Sequence, residues 1–147
     1  MAKDPFLKAA IEQARKSLSE GGIPIGSVLV HQGKIIGQGH NCRVQTGSSI
    51  DHGEMNCLRN AGRLPASVYR ECTIYSTLSP CPMCSGAIVL YKIPNVVVGE
   101  NKTFLGAEDY MRSNGINVEV VQDDECIEMM NEFIKTKPEL WNEDIGV

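Results

Sequence analysis

A chain of 147 residues, 42% hydrophobic and 22% charged, has the composition of an ordinary soluble globular protein and the length for one real core, which argues against disorder, collagen and coiled coil. Its net charge of -4 and pI near 5.4 give no chain-wide positive field to collect phosphates, so a polynucleotide substrate is disfavoured. The longest apolar stretch, residues 87–91, falls far short of the roughly 20 residues that span a bilayer, and no membrane association is expected.

The N-terminus carries Asp4, Glu12 and Glu20 among its lysines and no continuous apolar run. That fits neither a secretory signal nor an acid-poor transit peptide, so a cytoplasmic location is expected. Asp4 and Pro5 read as N-cap and first helical residue, and Leu7, Ala10, Ile11, Ala14 and Leu18 then recur at helical spacing until Gly21-Gly22. Residues 27–30 and 34–37 flank a His31-Gln32-Gly33 turn and predict an antiparallel hairpin. A polar loop through Thr46-Gly47-Ser48-Ser49 leads to a second helix at 52–61 and a strand at 72–78. Ser79 is expected to cap, and Pro80 to open, a third helix that runs to about Tyr91. Residues 96–98 form a short, continuously apolar strand and 118–121 another, with a partly helical stretch between them. The acidic cap Asp123-Asp124-Glu125 opens the last long helix, whose Cys126, Met129, Met130, Phe133 and Ile134 make a core stripe. Beyond Pro138, Trp141-Asn142-Glu143-Asp144-Ile145 read as a short docked tail with solvated charges.

No repeat, low-complexity tract or linker divides the sequence, which predicts a single domain over residues 1–147. Strands separated by helices imply an α/β fold, a three-layer α-β-α sandwich around a mixed five-stranded sheet in which an antiparallel hairpin is followed by parallel strands.

Six cysteines stand at 42, 57, 72, 81, 84 and 126. In a reducing compartment metal or catalytic roles outrank disulfides, and only Cys81 and Cys84 are spaced as Cys-x-x-Cys; the other four read as small buried hydrophobes. Three residues apart at a helix start, Cys81 and Cys84 share one face, and the positive helix end favours their thiolates. His52, at the start of another helix, completes a Cys₂His set suited to zinc, with no obvious fourth protein ligand. His40 or Cys42 are the residues that would close the site and make it structural. An open position makes it catalytic, because zinc brings the pKa of a bound water from 15.7 to about 7. Glu54, two residues past the histidine, is placed to take that proton, pass it to the ring nitrogen beside an amino-bearing carbon, and protonate the departing ammonia. No organic cofactor is required.

His-x-Glu paired with Pro-Cys-x-x-Cys is the signature of zinc nucleobase deaminases, and His52-Gly53-Glu54 with Pro80-Cys81-Pro82-Met83-Cys84 matches it. The sequence further resembles the fungal-type cytosine deaminases of the cytidine deaminase superfamily over nearly its whole length. The resemblance rests on residues 21–26 (Gly-Gly-Ile-Pro-Ile-Gly), Gly39-His40-Asn41, His52-Gly53-Glu54, Leu78-Ser79-Pro80-Cys81, Val98-Gly99-Glu100-Asn101 and Trp141 through Gly146. It implies that Asn41 and the Gly53 amide hold the ring carbonyl edge, and that Asp144 and the Ser79 carbonyl receive the amino group. It also implies that Ile25, Phe104 and Trp141 wall the pocket under a C-terminal lid, and that the protein is a homodimer that hydrolyses a free nucleobase, cytosine to uracil and ammonia. Asp51, Pro82 and Asn142 depart from the family pattern, which leaves isocytosine, creatinine, 5-substituted cytosines, guanine or a nucleoside open as substrates. An adenosine deaminase acting on transfer RNA and a zinc-stabilised binding module without turnover are the remaining readings.

Overall fold

The computed structural model describes residues 3–147. Helix α1 (Pro5–Ser19) opens as its sequence dictates: Pro5 is the first helical residue, and the Asp4 carboxylate accepts from the Phe6 N–H at 2.8 Å, a cap worth about 1 kcal/mol. Leu7, Ala10, Ile11 and Ala14 are buried on the expected face. Leu18, by contrast, is 43% exposed. The neighbour at that end of the helix is a polar junction, which Ser17 meets by donating its hydroxyl to the Asn41 carbonyl at 2.7 Å.

Strands β1 (Gly26–His31) and β2 (Lys34–His40) form the hairpin. Its two central residues, Gln32 and Gly33, both have positive φ, 50° and 76°, the backbone of a turn whose twist matches that of the strands. Both strands outrun the expected 27–30 and 34–37, because pairing continues to Gly26 opposite His40. The polar loop that follows contains a one-turn helix, α2 (Arg43–Thr46), before α3 (Gly53–Ala61) and a second single turn, α4 (Ala66–Tyr69). Strand β3 (Cys72–Ser76) ends two residues earlier than expected.

Helix α5 (Pro82–Tyr91) starts two residues later than the sequence suggests, with Cys81, not Ser79, at the N-cap and Pro82, not Pro80, at the first helical position. Ser79 cannot cap because its hydroxyl is occupied, donating to Glu108 and accepting from the Gly106 amide. Strand β4 (Asn95–Val98), helix α6 (Glu108–Ser113), strand β5 (Asn117–Val120) and helix α7 (Asp124–Thr136) follow in the expected order. The tail docks as helix α8 (Pro138–Asp144) with Trp141 buried, but Asp144 in it is buried as well, not solvated.

The sheet runs β2-β1-β3-β4-β5, with β1 antiparallel to both neighbours and β3, β4 and β5 parallel. Alternate residues serve two cores. Leu29, Ile74 and Val96 pack with Cys57, Ile88 and Met111 from α3, α5 and α6, whereas Val28, Val30 and Tyr75 pack with Leu7, Ala10 and Ile11 of α1 and Cys126 of α7. Helices therefore cover both faces of the sheet, as the three-layer expectation has it. A third cluster, built from Ile23, Ile25, Leu78, Met130, Phe133 and Trp141, gathers residues from just before β1, just after β3 and the two C-terminal helices. Crevices outside strand ends are where open α/β sheets bind ligands.

Candidate active site

Two helix starts meet at this crevice. His52 is the N-cap of α3 and Cys81 the N-cap of α5, both with extended backbone and neither spending its side chain on capping. Cys84 lies in the first turn of α5. The ligand-type atoms of His52, Cys81 and Cys84 all fall within 4.8 Å of one another, and the His52 Nδ1 is 3.5 Å from the Cys81 sulfur. Two sulfurs and an imidazole are a donor set that fits zinc. A hydrogen bond from the Cys84 thiol, then His52 and the helix-start backbone, hold Cys81 down at about 4, while donation to Cys81 and burial push Cys84 well up. The pair thus carries a thiolate at neutral pH. Burial works to lower the His52 pKa, and the hydrogen bond to Cys81 with the Asp144 charge outweighs it, so the net direction is up.

His40 and Cys42 do not join this cluster. His40 Nδ1 is 3.1 Å from the Asn41 carbonyl and 3.4 Å from the Cys42 sulfur, and its Nε2 faces Glu20 at 3.5 Å. Cys42, Cys57, Cys72 and Cys126 are buried free thiols, as expected of small apolar side chains.

Glu54 sits in the first turn of α3, 4% exposed. Burial first, then the Cys81 thiolate, pushes its carboxyl up to about 7, the range in which a group both takes and gives protons at neutral pH. Gly53, the first residue of that helix, presents an amide without an intrahelical acceptor. A Cβ at Gly53 would stand 3.1 Å from the Ile25 carbonyl and 3.3 Å from the Ile25 side chain, so the loop before β1 lies directly against it.

Ile25, His52, Glu54, Leu78, Ser79, Cys81, Phe104, Trp141, Asp144 and Ile145 line one narrow, nearly closed cleft with about 10 Å³ of free space. Phe104 meets Trp141 edge-on, ring centroids 5.7 Å apart. Asn41, fully buried, donates its side-chain amide to Asp144 Oδ1 at 2.8 Å and accepts from the Arg43 backbone N–H at 3.1 Å. Asp144 Oδ1 also faces His52 Nε2 at 3.7 Å and Arg43 Nε at 3.9 Å. Burial raises the Asp144 pKa against the pull of His52, Asn41 and Arg43. Of the residues singled out from the sequence, eight line this cleft; Cys84 adjoins it through the cluster with His52 and Cys81, Asn41 through its bond to Asp144, and Gly53 through its place between His52 and Glu54. Leu78 and Ile145 line it as well and were not among the expected site residues.

The burial of three carboxylates, Asp51, Glu100 and Glu108, was not foreseen from the sequence. Asp51 pairs with Arg59 at 3.0 Å and accepts from Thr46, which accounts for an acid beside the His52 position. Glu100 accepts from the Lys102 and Thr103 amides at 2.8 and 2.9 Å. Glu108 accepts from Ser79 and Asn101. Nothing local in the sequence marks their burial, because a lone acid is normally solvated.

The family model described as the cytidine and deoxycytidylate deaminase zinc-binding region matches residues 2–100. A cytosine deaminase of Candida albicans is 57% identical over 141 residues, covering 95% of this chain and 94% of that protein. A tRNA-specific adenosine deaminase of Streptococcus pyogenes serotype M18 is 42% identical over 106 residues, covering 70% of this chain and 66% of that one. Among solved structures, one from a study of A-to-I editing by tRNA:A34 deaminases at the wobble position superposes with a TM-score of 0.75 at 25% identity, covering 86% of this chain and 99% of that one.

Proposed function

The chain belongs to the cytidine and deoxycytidylate deaminase family, and from that membership we propose that it is a zinc-dependent enzyme hydrolysing cytosine to uracil and ammonia, with His52, Cys81 and Cys84 holding the ion and Glu54 moving the protons. The cytosine assignment is carried by the 57% identity to the Candida albicans cytosine deaminase over 95% of the chain.

When bound, zinc supplies a polarised water that ionises readily at neutral pH. The chain's own groups do the rest. The Glu54 carboxylate takes a proton from the attacking water and delivers it to the ring nitrogen beside the amino-bearing carbon, which raises the electrophilicity of that carbon. It then takes the remaining proton of the added hydroxyl and hands it to the amino group, so that the C–N bond breaks, ammonia departs and a carbonyl remains. The Gly53 N–H and the Asn41 amide orient the ring carbonyl edge. The Ser79 carbonyl and the Asp144 carboxylate, acceptors only, read the amino group. Ile25, Phe104 and Trp141 wall the base and exclude bulk water, with helix α8 as the lid.

The substrate on this reading is a free small molecule, the location cytoplasmic, and the net charge of -4 argues against a transfer RNA substrate. No helix among the described residues is long and apolar enough to cross a membrane. A homodimer is part of the proposal: Met55 and Leu58 of α3 and Ala87 and Tyr91 of α5 line a groove with Ile50, Arg59 and Arg63, and Leu90 of α5 is 68% exposed. Sedimentation equilibrium of the purified chain checks it, a monomer at micromolar concentration being the contrary result.

The deciding assay incubates zinc-loaded protein with cytosine and measures uracil and ammonia, beside isocytosine, creatinine, guanine, cytidine and transfer RNA. Turnover of cytosine above the others is expected. An inert cytosine with another base reacting overturns the substrate and leaves the chemistry standing.

A further inference from the structure

Glu108 is a buried carboxylate that takes no part in the proton transfers, yet it stands behind two walls of the cleft at once. Only 3% exposed, it accepts the Ser79 hydroxyl proton at 2.6 Å through Oε2. The Asn101 amide reaches both of its oxygens at 3.2 Å, and Arg112 lies 3.5 Å from Oε1. The same Ser79 hydroxyl accepts from the Gly106 N–H at 2.9 Å. Next to it, the Ala107 N–H donates to the Pro80 carbonyl at 3.0 Å. Gly106 lies so close beneath that carbonyl that a Cβ there would stand 1.9 Å from the oxygen. The segment carrying Phe104 is thereby sewn to the segment carrying Ser79 and Cys81.

Ser79 has three polar groups. Its hydroxyl belongs to Glu108 and Gly106, and its N–H donates to the Glu100 carbonyl at 3.0 Å. The carbonyl is the group left for a ligand in the cleft that Ser79 lines. The carbonyl lies in the peptide between Ser79 and Pro80, which is anchored on one side by the Ser79 hydroxyl and N–H and on the other by the Pro80 carbonyl held by Ala107, and Glu108 secures the hydroxyl anchor from behind. We propose that Glu108 is a positioning residue for recognition of the substrate's amino group, acting through the Ser79 carbonyl and the loop that carries Phe104. This rests on reading the Ser79 carbonyl as the acceptor for that amino group.

The test uses zinc-loaded full-length wild type, Glu108→Gln, Ser79→Ala and the double variant, with two probes: cytosine as substrate, and pyrimidin-2-one, which lacks the amino group, as inhibitor. Glutamine keeps the shape but turns a donor toward the donors Ser79 and Asn101, and alanine keeps the residue-79 carbonyl but frees it. Each single variant is expected to raise KM for cytosine about tenfold, the size of one misaligned hydrogen bond, with kcat within about threefold. Inhibition by pyrimidin-2-one should stay within about twofold, zinc content at one per chain, and the double variant no worse than the worse single. Equal weakening toward both probes means a merely structural role and overturns the inference, as does an unchanged KM. Should Glu108→Gln fail to fold, Ser79→Ala must still split the two probes, and its failure to do so is equally decisive. Wild type inert toward cytosine brings down the functional reading and this inference together, whereas active wild type with unsplit variants brings down the inference alone.

Discussion

Asn41 and Asp144, 103 positions apart in sequence, share a buried hydrogen bond of 2.8 Å between the end of the hairpin and the last turn of α8. Every neighbour on that carboxylate, Asn41, Arg43 and His52, approaches the same oxygen, Oδ1. On the proposed reading, Oδ2 is the oxygen that meets the substrate's amino group. The bond therefore seats the C-terminal helix and aims its acid in one arrangement.

Asp144→Asn retains an acceptor for Asn41 and places an NH₂ where the substrate brings its own. Donor then faces donor, and kcat/KM for cytosine is expected to fall by about 100-fold, the cost of one buried unsatisfied contact, with the melting temperature within a few degrees of wild type. Steady-state kinetics check it, and an Asp144→Asn enzyme within threefold of wild type would take Asp144 out of substrate recognition.

Glu54→Gln separates catalysis from metal binding. The side chain is buried and isosteric with its replacement, so the fold and the zinc content should hold, while ammonia release drops by about 10³-fold or more, the range for a lost general acid–base. Elemental analysis and an ammonia assay on the same sample make the comparison. Retained turnover would assign the proton transfers elsewhere.

Much of this was legible because its physics is local. The hydrophobic spacing of α1 and α7, the hairpin turn ending at Gly33, and the pairing of Cys81 with Cys84 each follow from a period or a turn that a dozen residues define. Helices α2, α4 and α8, of 4, 4 and 7 residues, are too short to be stable alone and exist by virtue of what they pack on. The sequence places the start of α5 at Pro80, although Pro82 suits a first helical position equally well. What decides between them is the Ser79–Glu108 bond across 29 residues. Burial of Asp144, Glu100 and Glu108 was illegible for the same reason: an acid reads as solvated until its distant donors are known.

Removal of the metal should abolish activity without unfolding the chain. Neither of the two cores flanking the sheet contains His52, Cys81 or Cys84, so the secondary structure outlives the ion. Binding to the folded state alone stabilises it by mass action. A chelator is therefore expected to stop ammonia release and lower the melting temperature while leaving far-UV circular dichroism unchanged, and added zinc to restore both. Cys84→Ser should show the apo behaviour and resist rescue. Full activity in metal-free protein would contradict the assignment.

Acid stability offers a test away from the cleft. Asp123 caps α7, accepting from the Cys126 N–H at 3.0 Å, and pairs with Lys3 at 3.1 Å. Burial alone would raise its pKa; the Cys126 amide and the Lys3 ammonium outweigh it and hold the carboxyl below its ordinary 3.8. A carboxyl that binds its proton less readily folded than unfolded stabilises the fold fully above the unfolded pKa and loses that contribution as the pH falls through the folded one. Asp123→Ala should therefore cost about 1 kcal/mol at pH 7, the worth of a helix cap, read as a lower urea midpoint. The gap between variant and wild type should hold down to about pH 4 and narrow below it, since protonation then strips the wild-type residue of its charge. Asp123→Asn, which keeps a capping oxygen but no charge, should lose less than alanine at pH 7. A gap that stays constant to pH 2, or widens, would mean that the carboxylate charge is not what secures the start of α7.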